Sequence, residues 1–332
     1  MKTDLRLTEL ILEITNACHH RCVHCSTVGG LPRENELTQD DRLRVLREAY
    51  QLGLIELRLL GGDPLFHLED TIDLLEEANR LGVERALICT SAVEHRLGWL
   101  RTFSAITPIQ ISAEASIYSA SSSIHDQITL GPGSLERLLV NSREAVRIGF
   151  DLNWNFVWMK PNFYELDSVL RLASEVGIKR VRILRLMLNG RARENRAALE
   201  LPIELEMQCE SIIASSTDRF PKVQLDFSKP LAFRLHRGRQ NGFARCSAGE
   251  GQLVVQADGR VLPCIGMKGM PQLEVGNVRT ETIREIFART SRLNFPQTSR
   301  EFSECPAFLF QTRPELIQLT LGRNSHAIKE GC

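Results

Sequence analysis

The chain has 332 residues, of which 43% are hydrophobic and 25% are charged, as in an ordinary folded globular protein. Its 41 basic and 41 acidic residues give a formal net charge of zero, so the composition indicates neither a nucleic-acid partner nor an anionic membrane. No signal peptide or long apolar run is present in the sequence, and we therefore expect a cytoplasmic protein.

The first two-thirds of the chain alternate short β-type runs with amphipathic helical patterns, which is typical of βα units around a parallel sheet. The predicted strands are Leu10–Thr15, Ile55–Leu60, Arg85–Thr90, Ile109–Ala113, Leu152–Trp158 and Arg180–Leu186. The predicted helices lie near Thr38–Leu52, Leu68–Leu81, Ser134–Ile148 and Glu165–Val176. Six units are fewer than the eight of a closed TIM barrel. The pattern therefore predicts an α/β fold, an open partial (β/α)6 barrel with its site at the C-terminal strand ends.

The pattern loosens after residue 186, where the polar residues 190–195 are interpreted as a loop. From about residue 244 the chain has Gly-rich turns, short strands such as Gln252–Gln256, and separated cysteines. We place a domain boundary within residues 228–244. Residues 1–228 are predicted to form the barrel, and residues 229–332 a small α+β domain with a C-terminal tail.

Nine cysteines in a cytoplasmic protein are more typical of metal binding or catalysis than of disulfides. Three of them, Cys18, Cys22 and Cys25, lie in one loop directly after the first predicted strand. Structural zinc usually has four protein ligands. Three thiolates on a cubane iron–sulfur cluster would instead leave one iron open to a ligand that is not protein. The spacing thus indicates a site where chemistry can occur.

The second predicted strand ends in a Gly-Gly-Asp-Pro turn from Gly61 to Pro64. Two glycines let a backbone approach a ligand closely, and the proline fixes the turn. Together with the three-cysteine loop, this turn resembles the signature of the radical S-adenosylmethionine (radical SAM) enzymes, which usually carry Gly-Gly-Glu-Pro. Asp63 keeps the carboxylate, and His24 replaces the aromatic residue that many members have before the last cysteine.

The resemblance implies a catalytic [4Fe-4S] cluster on the three cysteines, with S-adenosylmethionine bound at the open iron. An external one-electron donor such as flavodoxin or ferredoxin would drive its cleavage to a 5′-deoxyadenosyl radical, which abstracts a hydrogen atom from the substrate. The resemblance also implies that certain strand-end residues contact the cofactor. These residues are Gly61, Gly62, Asp63, Pro64, Ser112, Glu114, Asn153, Asn155 and Arg185.

The last third of the chain resembles the SPASM and twitch modules, which hold auxiliary iron–sulfur clusters. Cys246 and Cys264 flank a predicted hairpin, and Cys305 is similar to the first member of a later ligand pair whose second position is Phe308. Because this region has four cysteines and a full SPASM module uses seven, we expect one auxiliary cluster, a [4Fe-4S] cluster. Its fourth ligand is Cys332 or an open position for substrate. The alternative is a structural zinc site made by these four cysteines.

Three smaller predictions concern single side chains. Cys209 lies on a helical pattern and is interpreted as a small buried hydrophobic residue. The alternative role for Cys209 is a hydrogen-atom donor in an epimerase. His19 and His20 are expected at the surface of the cysteine loop.

Our first functional hypothesis is a radical SAM oxidoreductase or epimerase acting on a small polar metabolite of the sugar, aminocyclitol or nucleoside type, in natural-product biosynthesis. It depends on the first strand starting near residue 9, from which we expect no N-terminal leader-binding domain. The alternative is a radical SAM maturase that introduces an epimer, a crosslink or a thioether into a ribosomal peptide. A non-catalytic redox sensor is the poorest fit, because it leaves the Gly-Gly-Asp-Pro turn unexplained.

Overall fold

The computed structural model describes residues 6–93, 98–228, 230–232, 246–290 and 304–317. The strands are β1 (Glu9–Thr15), β2 (Glu56–Gly61), β3 (Arg85–Thr90), β4 (Gln110–Ile117), β5 (Asp151–Trp158), β6 (Arg180–Arg185), β7 (Gln224–Phe227), β8 (Gln252–Val255), β9 (Arg260–Leu262) and β10 (Gly276–Asn277). They form one sheet in the order β10-β9-β8-β1-β2-β3-β4-β5-β6-β7.

Helices connect the strands. They are α1 (Gln39–Tyr50), α2 (Leu68–Leu81), α3 (Gly98–Ala105), α4 (Ser122–Thr129), α5 (Ser134–Ile148), α6 (Leu166–Val176), α7 (Arg191–Glu194), α8 (Arg196–Leu199), α9 (Ile203–Glu206), α10 (Cys209–Arg219), α11 (Ile283–Thr290) and α12 (Pro306–Thr312). Short 3-10 helices span Pro64–His67, Lys160–Glu165, Ile265–Met267 and Pro271–Leu273. No helix within the described ranges is long and apolar enough to cross a membrane.

Strands β1 to β7 run parallel to their neighbours, which confirms the α/β class and the partial barrel. All six predicted strands and the four predicted helices are present. Local chemistry explains several of the boundaries. For example, the Thr38 side chain accepts from the backbone N–H of Asp41 and the Asp41 carboxylate accepts from that of Thr38, a capping box that starts α1.

The two faces of the barrel strands differ in polarity, because successive side chains of a strand point to opposite sides. On β5, Trp154 and Phe156 are fully buried in the main hydrophobic core. The alternate residues Asn153 and Asn155 face the barrel interior, as does Glu114 on β4. The main core therefore lies between the sheet and the helices, and the interior holds these polar side chains beside a small apolar cluster of Ile11, Leu60, Val254 and Leu262.

The C-terminal third continues the same sheet beyond β1. Strand β8 pairs in parallel with β1, and the predicted hairpin is confirmed as the antiparallel pair β8–β9. The auxiliary-module sequence is thereby placed beside the strand that leads into the cysteine loop. The division into domains at 228–244 stays a prediction, since residues 229 and 233–245 lie outside the described ranges.

Candidate active site

The cysteine loop leaves the C-terminal end of β1 and is closed by backbone hydrogen bonds. Cys18 N donates to Gly30 O over 2.9 Å, and Gly30 N donates to Asn16 O over 2.9 Å. The loop cysteines, defined as Cys18, Cys22 and Cys25, are all half-buried inside this closure. Their side chains are thus held at the mouth of the barrel, where the ends of the parallel strands meet.

Burial of the loop disfavours free thiolates, which bound metal ions would stabilise. Burial raises the pKa of Cys18 far above its ordinary value, and the carboxylate of Asp63 adds to that shift. Burial raises the pKa of Cys22 to about 12, and the nearby Cys25 thiol adds a smaller increase. Backbone N–H groups of the loop nevertheless donate to the sulfurs of Cys18 and Cys25 over 3.4 and 3.3 Å. Three half-buried thiols, two of them with backbone donors aimed at the sulfur, fit an iron–sulfur cluster, whose irons stabilise the thiolate form.

A single metal ion fits less well. No three or more His, Cys, Asp or Glu side chains of the described residues are arranged to hold one metal ion. A cubane cluster separates its cysteine sulfurs more widely than one ion does, because each sulfur binds a different iron.

The glycine turn after β2 packs directly on the base of this loop. Gly62 N donates to Thr15 O over 2.6 Å, and Asp63 N donates to Ala17 O over 2.8 Å. A Cβ added to Gly62 would lie 2.1 Å from Ala17 O. Gly61 has a φ of +134°, and a Cβ there would lie 2.4 Å from Thr15 O. Both positions therefore require glycine, because a side chain at either one would prevent the turn from packing on the base of the loop.

The Asp63 side chain is fully engaged with protein groups. One carboxylate oxygen accepts from Thr90 Oγ1 over 2.7 Å and from Leu65 N over 3.1 Å. The other accepts from the backbone N–H of Ser91 over 3.0 Å and from its hydroxyl. This carboxylate joins the ends of β2 and β3, and Pro64 next to it is buried at the start of a 3-10 helix. Contact of these residues with the cofactor stays a prediction.

Glu114 is the centre of a polar network inside the barrel. Its Oε2 accepts from Asn155 Nδ2 over 2.9 Å, and its Oε1 accepts from Arg182 over 2.7 Å. Arg58 lies 3.9 Å from the same carboxylate. The Oδ1 atom of Asn155 is buried without a hydrogen-bond partner, so an acceptor faces the interior. The structure thus brings the predicted residues Glu114 and Asn155 together.

The predicted residues Ser112 and Asn153 lie nearer the N-terminal ends of their strands. Ser112 pairs in register with Asp151, and Asn153 Nδ2 donates to the Asp151 carboxylate over 3.0 Å. Ser112 is two residues before Glu114 on β4 and so is farther from the cysteine loop, whereas Asn153 pairs in register with Glu114 and lies at the same level of the barrel. Contact of Ser112 and Asn153 with the cofactor also stays a prediction.

Arg185, the last residue of β6, points to the C-terminal region. Its guanidinium donates to Glu206 over 3.2 Å and pairs with Glu304. The guanidinium carbon lies 3.5 Å from the centre of the Phe308 ring. These contacts attach the segment around Cys305 to the end of β6. They give Arg185 a structural role, and the cofactor contact that the resemblance implies for it stays a prediction.

Arg191 holds the cysteine loop from the other side, a role that the sequence did not reveal. Its Nε donates to Cys22 O over 2.7 Å, and a terminal nitrogen donates to Gly29 O over 2.9 Å. Its backbone N donates to Cys25 O over 3.0 Å. The prediction of a loop over residues 190–195 was wrong, because Arg191–Glu194 is the helical turn α7 that presents this side chain.

The auxiliary cysteines, defined as Cys246, Cys264 and Cys305, lie near one another at the C-terminal part of the sheet. Burial raises the pKa of Cys305 to about 11, and the nearby Cys246 thiol contributes to the shift. Cys264 precedes Gly266, where an added Cβ would lie 2.8 Å from Ala307, so the segments that contain Cys264 and Cys305 are in contact. Cys332, the proposed fourth ligand, lies outside the described residues.

The smaller predictions for single side chains have different outcomes. His19 is exposed as expected, but the same expectation for His20 was wrong. His20 is only 3% exposed, and burial lowers its pKa to about 4. Cys209 is buried in the main hydrophobic core, with its sulfur 3.7 Å from Leu205 O in the preceding helical turn. This position suits packing, and the hydrogen-donor role stays a prediction.

The sequence matches two family models. Residues 12–200 match the radical SAM superfamily, and residues 246–307 match SPASM, an iron–sulfur cluster-binding domain. The chain belongs to the radical SAM superfamily.

The proteins that this chain is similar to include a peptide cyclase and a protein crystallised with a bound peptide. The chain is 26% identical over 292 residues to a PqqA peptide cyclase of Rhizobium meliloti (strain 1021), covering 86% of this chain and 74% of the cyclase. A crystal structure of Streptococcus suis SuiB bound to S-adenosylmethionine superposes with a TM-score of 0.67 at 17% identity, covering 88% of this chain and 69% of SuiB. SuiB bound to its precursor peptide SuiA gives a TM-score of 0.69 at 17% identity, covering 86% and 65%. At that identity the SuiB structures show the fold.

These findings define the cofactors of this radical SAM enzyme. It uses a catalytic [4Fe-4S] cluster, S-adenosylmethionine and an auxiliary iron–sulfur cluster. The match to an iron–sulfur module favours that cluster over the zinc alternative. The identity of the electron donor and the cytoplasmic location stay predictions.

The hypothesis of a small polar metabolite as substrate was wrong. The relative from Rhizobium meliloti is a PqqA peptide cyclase, and SuiB has been crystallised with a precursor peptide. The hypothesis depended on where the first strand begins in the chain. That position carries no information about the size of the molecule that the barrel mouth admits.

Proposed function

We propose that this protein is a radical SAM peptide maturase, and that its reaction is the formation of a crosslink within a ribosomally made peptide. The observation that carries the proposal is the similarity to a PqqA peptide cyclase over 292 residues. That span is longer than the predicted barrel region of residues 1–228, so the similarity extends into the auxiliary module. Formation of an epimer or a thioether would use the same cofactors and is distinguished by the product.

The chain itself contributes a rigid edge on which the cofactors are bound. The bound cofactors supply hydrogen-atom abstraction by a 5′-deoxyadenosyl radical. The loop cysteines hold the catalytic cluster, and Arg191 holds three carbonyl oxygens of their loop. The Gly61–Gly62 turn keeps its backbone within hydrogen-bond distance of the loop base. Orientation matters here because a reacting hydrogen must lie within near-contact distance of the radical.

The polar part of the barrel interior suits a peptide better than an apolar ligand. Glu114, Arg58 and Arg182 form a charged network there, and Arg58 also pairs with Glu9 over 3.0 Å. Two carboxylates thus balance two guanidinium groups. The buried Oδ1 atom of Asn155 is left to accept a hydrogen bond, and an N–H of a peptide or of the cofactor would satisfy it.

The test is turnover by the reconstituted enzyme under anaerobic, reducing conditions with S-adenosylmethionine. A panel would contain candidate precursor peptides and a matched set of sugars, aminocyclitols and nucleosides. We expect 5′-deoxyadenosine together with a peptide that has lost two hydrogen atoms, located by tandem mass spectrometry. An epimerised peptide would keep its mass when the reaction is run in ordinary water and would gain deuterium when it is run in deuterated water.

The control is the variant in which all three loop cysteines are replaced by Ala, which should form neither product. Turnover of a sugar-type compound with no change in any peptide would refute the proposal. Production of 5′-deoxyadenosine by the triple variant would refute the assignment of the catalytic cluster.

A further inference from the structure

A buried lysine connects the auxiliary region with the cysteine loop. Lys268 follows the 3-10 helix after Cys264 and is only 3% exposed. Its Nζ pairs with the carboxylate of Glu13 on β1 and donates to Thr27 Oγ1 over 2.9 Å. Glu13 is itself only 2% exposed. Lys and Glu are almost never buried to this degree unless they are paired.

The backbone that presents Lys268 is anchored independently of this ion pair. Gly266 O accepts from Asn189 Nδ2 over 3.1 Å and from Gln311 Nε2 over 2.7 Å. Gln311 also donates to Asn189 Oδ1 over 2.8 Å. The lysine therefore extends from a fixed part of the auxiliary region, and its ammonium group lies beside the catalytic loop.

The location makes the pair electrostatically important for the catalytic cluster. Thr27 follows the ligand Cys25 by two residues, and Glu13 lies on the strand that leads into the loop. Charges interact more strongly where water is excluded, and cluster potentials depend on nearby charge and hydrogen bonding. With both partners present the pair is neutral, so each partner cancels the field of the other.

We propose that Lys268 and Glu13 are positioning residues whose charge balance protects the reduction potential of the catalytic cluster, because each neutralises a buried charge that would otherwise shift it. Since Lys268 belongs to the auxiliary region, the potential of the catalytic cluster then depends on how that region is placed. Loss of the lysine leaves a carboxylate beside the cluster, which disfavours addition of an electron. Loss of the carboxylate leaves an ammonium group, which favours it. The proposal concerns the catalytic cluster and does not depend on whether the substrate is a peptide.

The test is the midpoint potential of the catalytic cluster in the reconstituted enzyme, followed by electron paramagnetic resonance in a redox titration. The signal that changes when S-adenosylmethionine is added identifies the cluster with the open iron. The variants are Lys268→Met, Glu13→Gln and the double variant. Lys222→Met is the matched control, because it removes the same charge from an exposed position.

We expect Lys268→Met to lower the reduced-to-oxidised ratio at a fixed potential by about tenfold, a shift of about 59 mV for one electron. Glu13→Gln should shift the potential in the opposite direction. The double variant and Lys222→Met should stay within about twofold of the wild type in that ratio. Shifts of Lys268→Met and Glu13→Gln in the same direction would overturn the proposal.

Glu13→Gln keeps the size of the side chain and decides the matter if Lys268→Met fails to retain its cluster. Iron and sulfide counts on every variant identify such a failure. An unchanged potential in Glu13→Gln with a full complement of iron would show that the pair serves packing alone. Lys268→Arg keeps the charge and should keep the potential.

Discussion

Replacing Arg191 by Gln should loosen the cysteine loop without touching a cysteine. The substitution removes two guanidinium hydrogen bonds, to Cys22 O and Gly29 O, of 2.7 and 2.9 Å. Hydrogen bonds to charged groups contribute about 1.5–3 kcal/mol each. Because Arg191 is half-buried, we take the lower end for each bond, about 3 kcal/mol in total. That free energy corresponds to a roughly hundredfold larger population of the opened loop.

The assay is the rate at which a ferrous-iron chelator removes the catalytic cluster under anaerobic conditions. If the cluster leaves through the opened loop, the rate should rise by up to about a hundredfold in Arg191→Gln, in proportion to the open population. Arg191→Lys keeps the charge but not the planar fork, so its rate should be intermediate. Arg193→Gln is the control on the same helical turn, because Arg193 is exposed and makes one bond of 3.3 Å to Leu188 O.

Two results would refute this reasoning. Iron loss from Arg191→Gln at the wild-type rate would show that the backbone hydrogen bonds of the loop suffice without the guanidinium. Equal acceleration in Arg193→Gln would show that the effect comes from the helical turn as a whole. In that case the two hydrogen bonds to the loop carbonyls are not its source.

Three further predictions concern other parts of the molecule. Gly62→Ala should prevent iron incorporation, because its Cβ would lie 2.1 Å from a carbonyl oxygen, whereas Gly98→Ala has open space and should incorporate iron normally. The hydrogen bond with Arg80 lowers the pKa of Glu77 from 4.5 to about 2; its stabilisation is therefore present above pH 4.5 and lost toward pH 2. The difference in urea midpoint between wild type and Glu77→Gln should shrink as pH falls from 6 to about 3, and a constant difference would contradict this assignment. Replacing all three auxiliary cysteines by Ala should halve the iron content and abolish the crosslink while 5′-deoxyadenosine still forms; full iron content would contradict the ligand assignment.

The fold was largely predictable because strand and helix patterns are local. The bounds of β3 agree with the sequence to the residue. Strand β4 was predicted to stop at Ala113 but continues to Ile117. The reason is that Glu114 and Ser116 are polar at alternate positions, which resembles a loop when the interior is assumed to be apolar. In this barrel the interior faces of β4 and β5 are polar, and the same alternation on β2 and β6 indicates Arg58 and Arg182 as interior residues.

The site was predictable only where its parts are close in sequence. The loop cysteines and the Gly61–Pro64 turn are recognised by spacing alone. Arg191 and Lys268 reach the loop from distant segments, and a single sequence holds no signal that pairs Lys268 with Glu13. The pairing of β8 with β1 could not be predicted either. Backbone hydrogen bonds, which any sequence can make, match this four-residue strand to its neighbour.

Phe308 stands where the resemblance to SPASM modules leads us to expect the second cysteine of a ligand pair, and its contacts show how the auxiliary region is held there. Its ring lies under the guanidinium of Arg185 at 3.5 Å, a contact that contributes about 0.5–2 kcal/mol depending on solvation. Arg185 also pairs with Glu304, the residue before Cys305. The segment is thus fixed to the end of β6 on both sides of Cys305 by side chains, without a metal ligand at position 308. A chain anchored in this way can present Cys305 to one auxiliary cluster and has no need of a second cluster to order the segment.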